Sequence, residues 1–374
     1  MDSKIWLSPP HLGSTEQNFV EEAFRSNWIA PGGTLVEGFE SDISNYLGRY
    51  SHVAALNSGT SAIHLALILL NVTAGDEVLC QSHTFAASAN PILYQGAKPV
   101  FVDSETQTWN MCPDQLERAI VDRIKKGSLP KAIIAVDLYG MPYQVDKIQR
   151  IADHYKIPVI EDAAEAFGSQ FQHKKCGSFG NFGVISFNGN KIITTSSGGA
   201  LVTKDSHLQE KAIFLATQAK DKNVAYSHSS IGYNYRMSNV LAGIGRGQML
   251  VLDERVKARR RNFNIYVERL ATIEGLEFQQ EPKYCFSNRW LTCVLTPTVV
   301  IREGLREHLE ALNIDSRPFW KPMHLQPLFK DAPSYVNGVS EDLFNRGLCL
   351  PSGSNLSDID LDRVISAITG YFKY

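Results

Sequence analysis

Apolar residues recur along this chain with two different periods, and the alternation between the two predicts the fold. Short, nearly continuous apolar runs read as buried strands: Val53–Leu56, Glu77–Cys80, Pro99–Asp103, Ala132–Leu138, Pro158–Ile160, Val184–Phe187 and Ala200–Val202. Helical periodicity fills the gaps over Ser61–Leu70, Pro113–Lys126, Tyr143–Tyr155 and His207–Gln218. Strands that alternate with helices predict an α/β fold built on a doubly wound, mostly parallel sheet. Upstream, Pro9-Pro10 keeps residues 1–13 in an extended arm, and Ser14/Gln17 and Thr34/Glu37 carry capping-box spacing for two helices. Downstream, a long helix begins near Asn239, Ser287–Thr296 reads as a strand, and Arg302–Leu312 and Asp358–Phe372 read as helices. This second pattern predicts a smaller α+β domain over residues 251–374, after a large domain and its N-terminal arm over residues 1–250.

Composition narrows the class. The hydrophobic share of 44% and charged share of 20% are those of an ordinary soluble protein. A formal charge of −2 gives no reason to expect a nucleic-acid partner. The one dense basic run, Lys257 to Arg261, falls inside a helical pattern and reads as a solvated face or a phosphate-side contact. The six cysteines form no C-x-x-C pair and have no metal-like histidine spacing, so free thiols in a cytoplasmic protein, and no metal, are expected. No run has the length of a membrane span, and the N-terminus lacks a basic-then-apolar leader.

Chemistry concentrates at strand ends. Ser58-Gly59-Thr60 lies between a strand and a helix, where small residues and free amides can cradle a phosphate; the same residues also suit a plain N-cap. Phe85 follows a strand and reads as core or as a stacking face for a planar ring. Glu161-Asp162-Ala163-Ala164-Glu165 ends another strand, at the edge where α/β sheets place ligands, although Asp162 could equally cap the next helix. Ser186-Phe187-Asn188-Gly189-Asn190-Lys191 follows the next one. Asn188-Gly189 is a two-residue hairpin signal, and a lysine beside a turn is ordinarily solvated. A lysine at a crowded strand end can instead lose its proton and act as a nucleophile. Trp28, in a glycine-containing loop, reads as core filler or as a ligand contact.

The order of these signals resembles fold-type-I pyridoxal 5′-phosphate (PLP) enzymes and, more narrowly, the DegT/StrS-type sugar-nucleotide aminotransferases. The likeness runs from L-S-P-P-H through S-N-W-I-A-P, S-G-T-S-A-I-H-L-A-L, E-D-A-A-E, N-G-N-K-I-I-T-T, G-Y-N-Y-R-M-S-N, S-N-R-W-L and R-P-F-W-K-P-M-H to L-C-L-P-S-G, which is essentially the whole chain. It implies that Lys191 is the Schiff-base lysine and proton shuttle, and that Asp162 pairs with the pyridine nitrogen of PLP. It further implies that Phe85 stacks on the ring and that Ser58, Gly59, Thr60 and Ser186 bind the phosphate. Asn234 would reach the cofactor phosphate of a second subunit in a homodimer with shared sites. Glu165 departs from the His or Gln found in many relatives, which puts its contact with the ring hydroxyl in question. Trp28, Asn288, Arg289, Arg317 and His324 are implied contacts for the nucleotide sugar. Bacterial relatives of this kind aminate C4 of a UDP-4-keto-6-deoxy-N-acetylhexosamine, with L-glutamate as donor and PLP cycling to its amine form, PMP. Amination at C3 and other nucleotides stay open, as does a binding protein without turnover. The related dehydratases carry histidine in place of the lysine, so Lys191 argues against that chemistry.

Overall fold

The computed structural model describes residues 3–48 and 51–373. Its large sheet has eight strands in the order His52–Leu56, Gly199–Thr203, Phe182–Ser186, Val159–Asp162, Ala132–Val136, Glu77–Gln81, Lys98–Val102 and Ser334–Tyr335. Only Gly199–Thr203 opposes its neighbours; the other seven run one way. The doubly wound, mostly parallel sheet expected from the apolar runs is therefore present.

Period-two packing explains why these runs are apolar throughout. Ala54, Val78, Ile134, Ile160, Val184 and Leu201 face one core with the helix Gly59–Leu69. Their chain neighbours Leu79, Ile133 and Val159 face a second core beneath the helices Pro113–Lys125 and Val145–Tyr155. At the same level Val53, Ile185 and Ala200 meet the helix Thr34–Leu47. With both faces covered, alternation with polar residues has no place in the central strands.

A four-stranded antiparallel sheet, Glu277–Phe278, Thr292–Leu295, Gly347–Leu350 and Arg317–Pro318, lies beyond residue 251. The helices Leu252–Leu270, Val299–Ala311 and Asp358–Tyr371 share one core with it. The chain crosses between the two sheets in both directions. The N-terminal arm reaches over as Ile5, which exchanges backbone bonds with Asn313 and Asp315. The short strand Ser334–Tyr335 returns to the edge of the large sheet beside Lys98–Val102.

Several local expectations change. The long helix expected from Asn239 is two, Asn239–Met249 and Leu252–Leu270. Only Thr292–Leu295 of the predicted 287–296 strand pairs. Neither capping box forms. Thr15 precedes the first helix without a side-chain cap, and Glu16 accepts from the Gly13 amide. The second helix starts from Gly33, and its Leu35 and Val36 amides donate to the side chain of the distant Asn239. Lys257–Arg261 is not a uniform solvated face: Arg259 is buried, Arg260 pairs with Glu281 and Arg261 with Asp358. Among the described residues no helix is long and apolar enough to cross a membrane.

Candidate active site

The carboxyl ends of the parallel strands converge on a cavity of about 300 Å³. Its wall includes Ser58, Gly59 and Thr60 after the first strand, Phe85 after the second, Asp162 and Glu165 after the fifth, and Ser186 and Lys191 after the sixth. One edge of one sheet thus gathers every cofactor candidate except Asn234.

Asn188-Gly189 does not make a hairpin. The antiparallel strands on either side of it are joined by the longer loop 187–198, and Asn188 accepts the Lys191 amide inside that loop. Ile192 and Ile193 anchor this loop in the core beside Phe187. Lys191 is thereby turned inward. Its Nζ lies 3.6 Å from Glu165 Oε1 and 4.2 Å from the centre of the Trp290 ring. Its side chain is only 12% exposed, so the solvated reading of this lysine fails.

Asp162 is buried. Its Oδ2 accepts from Ser88 Oγ at 2.6 Å and its Oδ1 from the Ala164 amide at 3.2 Å. Burial raises its pKa; the Ser88 hydroxyl, the Ala164 amide and the Lys191 charge oppose the rise. Such a carboxylate is poised to take a cationic partner. Glu165 is likewise raised by burial, against the pull of Lys191. Its Oε2 accepts from the Tyr139 amide at 2.7 Å. Tyr139 holds a left-handed backbone, φ 55°, which costs on the order of 1–3 kcal/mol for a residue with a side chain. Glu165 and the Trp320 amide, which donates to Tyr139 Oη at 2.8 Å, pin it there.

Ser58 caps the helix Gly59–Leu69 by accepting the Ser61 amide at 3.0 Å. The Gly59 and Thr60 amides of that first turn have no carbonyl to meet within the helix. Gly199 presses on the same turn: a Cβ there would stand 2.4 Å from the Gly59 nitrogen, so only glycine lets the antiparallel strand pass. Phe85, 54% exposed, stands at the wall beside Trp320. Free amides with hydroxyls at one end, a buried carboxylate at another, an aromatic face and an amine between them fit a flat cofactor that carries a phosphate.

The remaining candidates lie elsewhere. Asn234 is exposed outside the cavity, and its carbonyl accepts from Asn57 next to the Ser58 turn. Trp28 is half-exposed and donates to the Gly32 carbonyl, away from the cavity wall. Asn288 is a buried pin whose Nδ2 donates to the carbonyls of Glu165 and Phe167. Arg289 is buried over Phe263 and paired with Glu281. His324 bridges Ser82 and Glu341. Arg317 is exposed beside Asp315, in a hollow that shares Asn190, Trp290 and Trp320 with the cavity. Sequence reading passed over Ser88, Tyr139, Trp290 and Trp320. None follows a phosphate or lysine motif, and Trp290 and Trp320 come from the far side of residue 251.

Behind Asp162 lies a second carboxyl pair. Asp137, Glu161 and Cys176 bring ligand atoms within 4.8 Å of one another. Glu161 is held by the Gly177 and Phe179 amides, and Asp137 by the Tyr143 amide. Burial pushes Glu161 up to about 7, and burial with the Glu161 charge pushes Asp137 up too, so folding favours the protonated forms of this pair. A folded pKa above the unfolded value adds stability at low pH that is lost as pH rises through the folded value. Wild-type stability is expected to fall from about pH 5, above the ordinary carboxyl range, through the Glu161 value of about 7, with a slope of up to about 1.4 kcal/mol per pH unit for each proton lost. Asp137→Asn removes one titrating group and its charge from beside Glu161 and should flatten that slope; an unchanged slope in thermal melts would mean that this pair does not set the pH dependence.

Residues 10–369 match the DegT/DnrJ/EryC1/StrS aminotransferase family. EpsN of Bacillus subtilis (strain 168), assigned by name to the pyridoxal phosphate-dependent aminotransferases, is 52% identical over 376 residues, covering 100% of this chain and 97% of its own. GDP-perosamine synthase of Escherichia coli O157:H7 is 35% identical over 97% of each chain. The crystal structure of a DegT DnrJ EryC1 StrS aminotransferase from Brucella abortus aligns with a TM-score of 0.90 at 32% identity, over 96% of each chain. With its fold-type-I scaffold and a wall built for PLP, the chain belongs to the DegT/DnrJ/EryC1/StrS family of PLP-dependent sugar aminotransferases.

Proposed function

We propose that the protein transfers the amino group of L-glutamate to C4 of a UDP-4-keto-6-deoxy-N-acetylhexosamine, for a bacterial glycan or exopolysaccharide. The observation that carries the transamination reading is the gathering of Lys191, Asp162 and the Ser58 helix start around one cavity. PLP, when bound, supplies an electron sink for negative charge at the carbon that loses its proton. Lys191 Nζ would move that proton, since it is the one side-chain amine on the cavity wall among the described residues. Asp162, with Ser88 fixing its orientation, would keep the pyridine nitrogen protonated. Ser58, Gly59, Thr60 and Ser186 would hold the phosphate and Phe85 would cover the ring, which together would fix the cofactor's orientation beside Lys191. Glu165, tied to the Tyr139 amide and beside Lys191, would be the side chain offered to the ring hydroxyl. Asn234, outside its own cavity, serves the phosphate of the partner subunit in a homodimer. Arg317 is the nucleotide-side candidate best supported by its exposure in the adjoining hollow.

A GDP-linked keto sugar is the second reading, favoured by the 35% identity to a GDP-perosamine synthase across 97% of the chain. A panel of UDP-, dTDP- and GDP-linked keto sugars, assayed with L-glutamate and followed by product NMR, separates them. The UDP-N-acetyl substrate should lead the GDP substrate in kcat/KM by about tenfold or more, an energy within reach of one or two specific contacts. A leading GDP substrate, or an amine at C3, would overturn the UDP-C4 assignment.

A further inference from the structure

The loop that carries Lys191 has no ladder to hold it, yet the peptide just before the lysine is fixed. The Asn190 carbonyl accepts two hydrogen bonds, from Ser8 Oγ at 2.7 Å and from Trp290 Nε1 at 2.8 Å. Ser8 belongs to the N-terminal arm and Trp290 to the segment entering the smaller sheet. One side chain joins both donors. Arg259 Nη2 donates to Ser8 Oγ at 3.0 Å, and Nη1 donates to the Trp290 carbonyl. Arg259 is 1% exposed, and no carboxylate pairs with it among the described residues. Its Nε has no partner there either. Burial and the Arg255 charge push its pKa down to about 9. A buried, unpaired guanidinium is costly to keep, and its fork geometry suits two acceptors at once.

We propose that Arg259 is a positioning residue for Lys191, acting through Ser8 and Trp290 on the Asn190 carbonyl. Ser8 accepts from the cation and donates onward, so the charge strengthens the bond that Ser8 makes to the loop. Trp290 is held at both ends: its carbonyl by Arg259, and its indole N–H by Asn190 while the ring lies over Lys191 Nζ. The clamp sets where the amine sits, and it makes the arm part of the active site. The inference rests on the assignment of Lys191 as the cofactor-holding lysine.

Ser8→Ala, Arg259→Lys and Arg259→Met test it in the PLP-loaded protein, read by kcat, KM and the pH at which the yellow absorbance titrates. Ser8→Ala should lower kcat by about tenfold, and Arg259→Met by about 100-fold, with KM for donor and acceptor little changed. Both should displace the colour titration. Arg259→Lys should fall between wild type and Arg259→Met, because one ammonium cannot span both acceptors. If Arg259→Met fails to fold, Ser8→Ala carries the test alone. Folded variants with wild-type kcat and an unmoved colour titration would reduce Arg259 to a structural residue. Loss of the glutamate-driven colour change in the wild-type protein itself would instead sink the Lys191 assignment.

Discussion

Lys191→Ala is expected to lower turnover by about 10⁴-fold or more and to abolish the yellow colour of lysine-bound PLP. General acid–base transfer alone contributes about 10²- to 10⁴-fold, and Lys191 adds a covalent role. Among the described residues no other amine lines the cavity. The fold should survive the change. Lys191 meets one charged side chain, Glu165, at 3.6 Å, and burial already raises the pKa of that carboxyl. With the lysine gone, the charge that opposes that rise is lost and the neutral form of Glu165 is favoured further. Ile192 and Ile193 still hold the loop in the core. Melting temperature should therefore move little while the absorbance disappears. A yellow, active Lys191→Ala protein would remove the lysine from the mechanism.

Much of this site is legible in the sequence because it sits at strand ends. A parallel strand buried on both faces announces itself as an apolar run, and the residue after the run falls on the ligand edge of the sheet. Ser58, Phe85, Asp162 and Lys191 are found that way, and all four reach one cavity. What stays hidden arrives from elsewhere in the chain. Trp290 and Trp320 reach the wall through packing between the two sheets, and no local pattern encodes that contact. Tyr139 is set by a left-handed turn that Glu165 completes from 26 positions away. The basic helix run misleads for a related reason: charge density in sequence says nothing of which face is buried. Arg259, at its centre, is enclosed, while Arg260 and Arg261 find carboxylates on distant segments. Asn288, Arg289 and His324 carry the right chemistry for a nucleotide, but their polar atoms are occupied by the protein itself.

Asp162→Asn should bind PLP and stay folded, yet lose turnover by about 10²- to 10⁴-fold. Breaking a buried charge pair by neutralising one partner costs about 3–5 kcal/mol, and each 1.36 kcal/mol on a barrier is about tenfold in rate. The asparagine keeps the volume, and its side-chain oxygen can still accept the Ala164 amide. Its amide group, though, turns two donors toward a site now occupied by an acceptor, and Ser88 must reverse its own hydrogen bond. The pyridine nitrogen then meets no anion, and the ring loses the positive charge that makes it an electron sink. Binding is spared because the Ser58–Thr60 turn, Ser186 and Phe85 hold the other parts of the cofactor. Ser88→Ala should show the same effect in smaller measure, about tenfold, since Asp162 keeps its charge and loses only its orienting donor. Stopped-flow measurement of the half-reaction with L-glutamate separates the two roles, because the defect should appear in proton removal and not in cofactor affinity. An Asp162→Asn protein with wild-type half-reaction rates would mean that ring protonation at this carboxylate contributes nothing to the chemistry.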